Sequence, residues 1–113
     1  MNPLWLDIGP VSQIEPCSAR TLPVQGGEEI AVFRTARGEV YALVNKCPHK
    51  QGPLSQGIVH GDSVTCPLHN WRISLRSGEA LGDDKGCTPT IPLKLEAGRI
   101  FLLREAVLGR QAA

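Results

Sequence analysis

The chain has 113 residues, 42% hydrophobic and 20% charged, a length and balance that suit one domain with one core and exclude a mainly disordered polypeptide. Twelve basic against eleven acidic side chains give a net charge of +1 with no long run of either sign, and aromatics reach only 4%. This argues against nucleic acid as a partner, which needs clustered cations and stacking platforms.

In chain order, the first predicted strand is Trp5 to Ile8, followed by a short helical turn near Val11 to Ile14. "EIAVFRTARGEVYALV" reads as a hairpin of strands Ile30 to Thr35 and Glu39 to Val44, with Ala36-Arg37-Gly38 at the turn. Ser63 to Cys66 is a further strand. "LKLEAGRIFLL" repeats the hairpin device, pairing Leu93 to Glu96 with Arg99 to Arg104 around Gly98. Alternation of Leu93 and Leu95 with Lys94 and Glu96 marks a half-buried strand. The tail from Leu108 to Ala113 offers little to bury and is expected to fray. Twelve glycines and nine prolines scattered between short β-rich runs predict an all-β fold. We expect small antiparallel sheets forming a sandwich or barrel-like base. A Gly-, Pro-, His- and Cys-rich subdomain, about 45–84, is inserted into the single domain 1–113.

No ~20-residue apolar window is present for a membrane span, and no basic segment followed by a long apolar run opens the chain. The expectation is a cytoplasmic protein with no membrane partner. Thiols stay reduced there, and cysteines more often bind metal than form disulfides.

The inserted stretch carries the chemistry. Cys47-x-His49, then sixteen residues, then Cys66-x-x-His69 presents two thiolates and two imidazoles from two loops, each with proline directly after the cysteine. Proline fixes φ and stiffens a loop that must aim two ligands. Structural zinc accepts two cysteines and two histidines, but zinc fingers usually pair like with like in each knuckle. Here each loop mixes them. The mixed set suits two metals, with Cys47 and Cys66 on one iron and His49 and His69 on the other, the ligation of a Rieske [2Fe–2S] centre.

"KCPHKQGPLSQGIVHGDSVTCPLHNWRISLRSGEALGDDKGCT" resembles the cluster-binding part of Rieske-type proteins, above all the small subunit of assimilatory NAD(P)H-dependent nitrite reductase. The likeness extends more weakly from "IAVFRTARGEVYALVN" to "TIPLKLEAGRIFLL". Rieske subunits of respiratory complexes carry two further cysteines whose disulfide braces the loops. This chain has Gly52 and Leu68 at those places. The respiratory serine and tyrosine that donate hydrogen bonds near the cluster correspond to Trp71 and Ile73. Ferredoxins of aromatic-ring dioxygenases tend to carry Phe-Asp-x-x-Thr-Gly downstream, where this chain reads Ile73-Ser74-Leu75-Arg76-Ser77-Gly78.

The resemblance implies a one-electron carrier whose partner is a large subunit with FAD, sirohaem and a [4Fe–4S] cluster, reducing nitrite to ammonium. Two other readings stand beside it: a free-standing Rieske ferredoxin serving a dioxygenase, and a zinc-stabilised interaction domain without redox activity. No phosphate-cradling loop or nucleophile–base pair is apparent, so the chain alone is expected to carry electrons without a substrate site. Trp71 and Leu68 would supply an apolar docking rim, with Trp71 equally suited to the core. His60 reads as a turn residue, and Cys17 and Cys87 as small buried hydrophobes. Pro89 and Pro92 fit either a cluster-shielding segment or strand starts. Asp83, Asp84 and Lys85 read as a solvated turn.

Overall fold

The computed structural model describes residues 4–23, 29–47, 52–68, 70–82 and 85–108. Among them the backbone forms β1 (Trp5–Pro10), β2 (Ser18–Leu22), β3 (Ile30–Arg34), β4 (Val40–Val44), β5 (Ile58–His60), β6 (Ser63–Thr65), β7 (Arg72–Ser74), β8 (Thr90–Ile91), β9 (Leu93–Glu96), β10 (Arg99–Leu103) and a final helical turn, α1 (Arg104–Leu108). Short 3₁₀ turns occupy Val11–Gln13 and Leu54–Gln56. The strands build three antiparallel sheets, in the orders β1-β10-β9, β2-β3-β4-β8 and β5-β6-β7. The all-β expectation therefore holds.

The four-stranded sheet lies between two cores. Ala31, Phe33 and Leu43 face one cluster with Leu54, Val59, Val64, Ile73 and Leu75 from the β5–β7 region. Ile30, Val32, Val40 and Ala42 face the other, with Ile91, Ile100, Leu102 and Val107. That division explains why "IAVF" shows no apolar–polar alternation. Successive side chains point to opposite faces, and on β3 both faces are covered.

Both predicted hairpins form. Arg34 pairs with Val40 across the first, whose turn is closed by the Thr35 N–H donating to the Glu39 carbonyl at 2.8 Å. In the second, Glu96 pairs with Arg99, and Ala97 and Gly98 both take positive φ, 52° and 76°. Leu95 departs from expectation. It shares the inner face with buried Ile100 but lies on the edge strand and is 46% exposed. The 3₁₀ turn at Val11–Gln13 falls where a helical turn was predicted.

Strands β2, β5, β7 and β8 were not anticipated, nor was α1. Of the predicted fraying tail, residues 109–113 lie outside the described residues. No described helix is long and apolar enough to cross a membrane.

Two cysteine assignments need correction. Cys17 and Cys87 are exposed. Cys17 sits at φ 63° in a turn closed by the Ser18 N–H to the Glu15 carbonyl at 3.1 Å, so its side chain leaves from an outer corner. Cys87 bridges Glu79 on a short irregular ladder outside the sheets.

Candidate metal centre

Two loops of different construction bring the cysteines together. The second loop closes the β6–β7 hairpin. Thr65 pairs with Arg72, the Cys66 N–H donates to the Trp71 carbonyl at 2.6 Å, and the Leu68 N–H points at Cys66 Sγ from 3.5 Å. The first loop has no hairpin of its own. It leaves the four-stranded sheet at Val44 and enters the three-stranded sheet at Ile58.

Backbone contacts hold this first loop against the second. The Cys47 N–H donates to the Gly52 carbonyl at 2.8 Å. At Gly52 a β-carbon would stand 2.8 Å from Leu68 Cδ1 and 3.4 Å from Cys66 Sγ, so the two loops meet beside the sulfur and an added methyl would have to displace the Leu68 side chain. At Gly57 a β-carbon would lie 2.2 Å from the Thr65 carbonyl, directly before Cys66. Leu54 anchors the loop from beneath, wholly buried.

Cys47 and Cys66 are each 0% exposed, outside any disulfide, and members of the same apolar cluster. Fully buried thiols with a backbone N–H aimed at one sulfur suit thiolates bound to metal, because thiolate charge in an apolar site needs a cation. The donor chemistry fits an iron–sulfur group. His49 and His69 lie outside the described residues, as do Asp83 and Asp84.

Around this pair, Trp71 is half-buried and packs against the core cluster, whereas Leu68 is 43% exposed. Of the two expected rim residues, Leu68 faces outward and Trp71 leans inward. His60 ends β5 and opens the turn to β6, pairing with Ser63 across Gly61 and Asp62; its Nε2 lies 2.7 Å from Thr65 Oγ1. Pro89 and Pro92 immediately precede β8 and β9. Their carbonyls accept the Val44 and Leu103 N–H groups at 2.9 Å each, as strand starts do.

Arg76 fastens the β5–β6 turn to the four-stranded sheet. Its Nε donates to Asp62 Oδ2 at 2.8 Å, a second nitrogen lies 3.6 Å from Glu39 Oε2, and the guanidinium stands 5.7 Å over the Tyr41 ring. The Asp62 hydrogen bond, then the Tyr41 and Glu39 charges, hold Arg76 above its ordinary pKa. Burial pushes the Tyr41 phenol up. A 240 Å³ cleft lies beside this group, lined by Thr35, Arg37, Glu39, Asp62 and Arg76 among others. Arg76 engages both of its carboxylates.

Residues 4–92 match the model of the Rieske [2Fe–2S] domain family. The chain belongs to this family. Its cofactor is accordingly a [2Fe–2S] cluster, and it is a Rieske-type electron carrier of the oxidoreductase kind. The zinc reading that the donor set alone left open gives way to that membership.

Among curated relatives, the chain is 33% identical to the ferredoxin component of the naphthalene 1,2-dioxygenase/salicylate 5-hydroxylase systems of Ralstonia sp., over 93% of this chain and 100% of that one. It is 37% identical to a 4β-methylsterol monooxygenase of Methylococcus capsulatus over 67% of this chain, but spans only 23% of that enzyme's length. Among solved structures, a Mycobacterium tuberculosis protein assigned by name to the small subunit of NADH-dependent nitrite reductase superposes with TM-score 0.78. Its identity is 26%, over 89% of this chain and 95% of that one.

Sequence reasoning missed two contributors. Gly57 stands in "SQGIV" between the loops, and Asn45 is the polar residue ending an otherwise apolar strand, two positions before Cys47. The abrupt polar stop in "YALVN" was the available signal for Asn45.

Proposed function

We propose that Cys47 and Cys66 bind one iron and His49 and His69 the other. The chain would then be the electron-transferring small subunit of an NAD(P)H-dependent assimilatory nitrite reductase. The supporting observation is the burial of both cysteines in one cluster where two loops close on each other over Gly52. Residues 1–113 act as one folding unit, with about 45–84 as its metal-bearing part.

A bound [2Fe–2S] group supplies reversible one-electron chemistry at a potential raised by neutral imidazole ligands. The chain's own residues set its surroundings. Ile73, fully buried, and Trp71 stand where respiratory forms have hydroxyl donors, so neither of those two hydroxyls is there to stabilise the reduced state. Leu68 presents an apolar edge to a partner, and the Leu68 N–H supports the Cys66 sulfur.

Support for the nitrite reductase assignment comes from the Mycobacterium tuberculosis neighbour and from Ile73-Ser74-Leu75-Arg76 in place of the dioxygenase-ferredoxin pattern. The partner would be a large subunit holding FAD, sirohaem and a [4Fe–4S] cluster. A second reading, a ferredoxin delivering electrons to an aromatic-ring dioxygenase, is favoured by the full-length Ralstonia relative.

Affinity purification from the native cell distinguishes them. A stable complex with a flavin- and sirohaem-bearing chain supports the first. A free protein, reduced by a separate reductase and oxidised by an oxygenase, overturns it in favour of the second. In the complex, Cys66→Ser is expected to abolish the EPR signal of the reduced Rieske centre together with pyridine-nucleotide-linked nitrite reduction. Undiminished nitrite reduction without the signal would overturn the relay role.

A further inference from the structure

The second loop is held by the hairpin that flanks it, but the first is strung between two sheets, and one side chain spans its ends. Asn45 is 6% exposed and uses its whole amide. Its Oδ1 accepts the Ser55 N–H at 2.8 Å, and its Nδ2 donates to Ser55 Oγ at 3.0 Å and to Glu29 Oε1 at 2.7 Å. An N–H can only donate and a carboxylate only accept, so the orientation of the amide is fixed. The Asn45 N–H also donates to the Glu29 carbonyl at 2.8 Å.

From these contacts we infer that Asn45 is a positioning residue for the cluster. It pins the entry of the first loop, two residues before Cys47, to Ser55 on its exit and to Glu29 at the mouth of β3, and so fixes where Cys47 stands relative to Cys66. The inference rests on Cys47 being a ligand. Without the pin, the Ser55 N–H loses its partner, while the Cys47 N–H still donates to the Gly52 carbonyl. Leaving such a group unsatisfied is costly, and the loop is expected to relieve it by moving.

The test exchanges donor for acceptor. Asn45→Asp keeps the shape and the Ser55 N–H bond but sets a carboxylate oxygen against Glu29. Adding Glu29→Gln restores a donor opposite that oxygen, and Glu29→Gln alone leaves the Asn45 amide an acceptor. Iron release to a chelator, followed by visible absorbance, is expected to run on the order of tenfold faster in Asn45→Asp. The double variant should return close to the parent, as a direct contact pair requires. EPR of the reduced Asn45→Asp protein should show broadened lines, from a ligand held in several placements. A residue adding only general stability would lower the melting temperature and leave the linewidths unchanged. Equal release rates in Asn45→Asp and the double variant, or parental linewidths in Asn45→Asp, would overturn the inference. Cys47→Ser is the independent control: retention of the cluster there would refute the ligand reading itself, whereas its loss with equal rates in the other pair would refute the pin alone.

Discussion

Replacing Gly57 by alanine adds one methyl group where no room exists, and the consequence can be worked out from three distances. The new β-carbon would stand 2.2 Å from the Thr65 carbonyl oxygen, 2.9 Å from Val64 Cγ2 and 3.1 Å from the Leu54 carbonyl oxygen. Two of these are backbone atoms that cannot rotate away. A relaxed carbon–oxygen contact needs a separation of roughly 3.3 Å, so the loop and β6 must part by about 1 Å. Gly57 already has φ −80°, a value any residue adopts, so the penalty is contact alone. Overpacking of this kind costs about 1–3 kcal/mol, and the rigid opposing backbone puts it near the upper figure. About 3 kcal/mol corresponds to roughly a 150-fold loss in the folded ratio, a large part of the ~5–15 kcal/mol that holds a domain. The assay is guanidinium denaturation of the holo-protein, read in parallel by far-ultraviolet circular dichroism and by cluster absorbance. Gly61→Ala is the comparison: nothing lies within 4 Å of its β-carbon, but φ is +59°, so only a torsional cost of about 1 kcal/mol is expected, with iron content unchanged. A Gly57→Ala protein with parental midpoint and full iron content would refute the reasoning.

Further outcomes follow from the same structure. Leu54→Ala, which empties a wholly buried site beneath the first loop, should cost about 2–5 kcal/mol in urea unfolding. The midpoint potential should fall in the lower half of the Rieske range, below about +100 mV, by protein-film voltammetry; a reading well above it would defeat the argument from the hydroxyls absent at Trp71 and Ile73. The Arg99 hydrogen bond, and then the Gly9 N–H, hold the Asp7 carboxyl below its ordinary pKa. Its stabilising contribution is therefore complete above the unfolded value near ~3.9 and is lost as pH falls through the lower folded value. Asp7→Asn should lower the melting temperature slightly at neutral pH and converge with the parent as pH falls through the folded value, so that the acid limb of its thermal-stability profile is flatter.

How legible the molecule was depended on whether a residue's role is local. Both long hairpins were readable because Gly38 and Gly98 punctuate apolar runs, and β3 betrayed its double burial by a continuous apolar stretch. Strand β2, "SARTL", has little pattern of its own and is a strand because β3 pairs with it residue for residue. Strands β5 and β7 have three residues each, too few to show a period. At the candidate site, spacing singled out Cys47 and Cys66 as prospective ligands, and both lie buried where two loops meet. Asn45 and Gly57 touch segments that the fold alone brings near: the polar stop in "YALVN" hinted at the first, but nothing in the sequence named Ser55 or Thr65 as their partners. Cys17 and Cys87 were misjudged for the opposite reason: residue type suggested burial, and a turn corner and an irregular ladder put them outside.

The contact between Gly52 and Leu68 occupies the place where the respiratory form of the motif carries its extra disulfide. A latch made of sulfur opens under reductant and closes under oxidant, so its strength follows the thiol poise around it. A leucine laid on a bare backbone has no such dependence. Its grip varies only with packing, and incubation with dithiothreitol, however concentrated, leaves it nothing to cut.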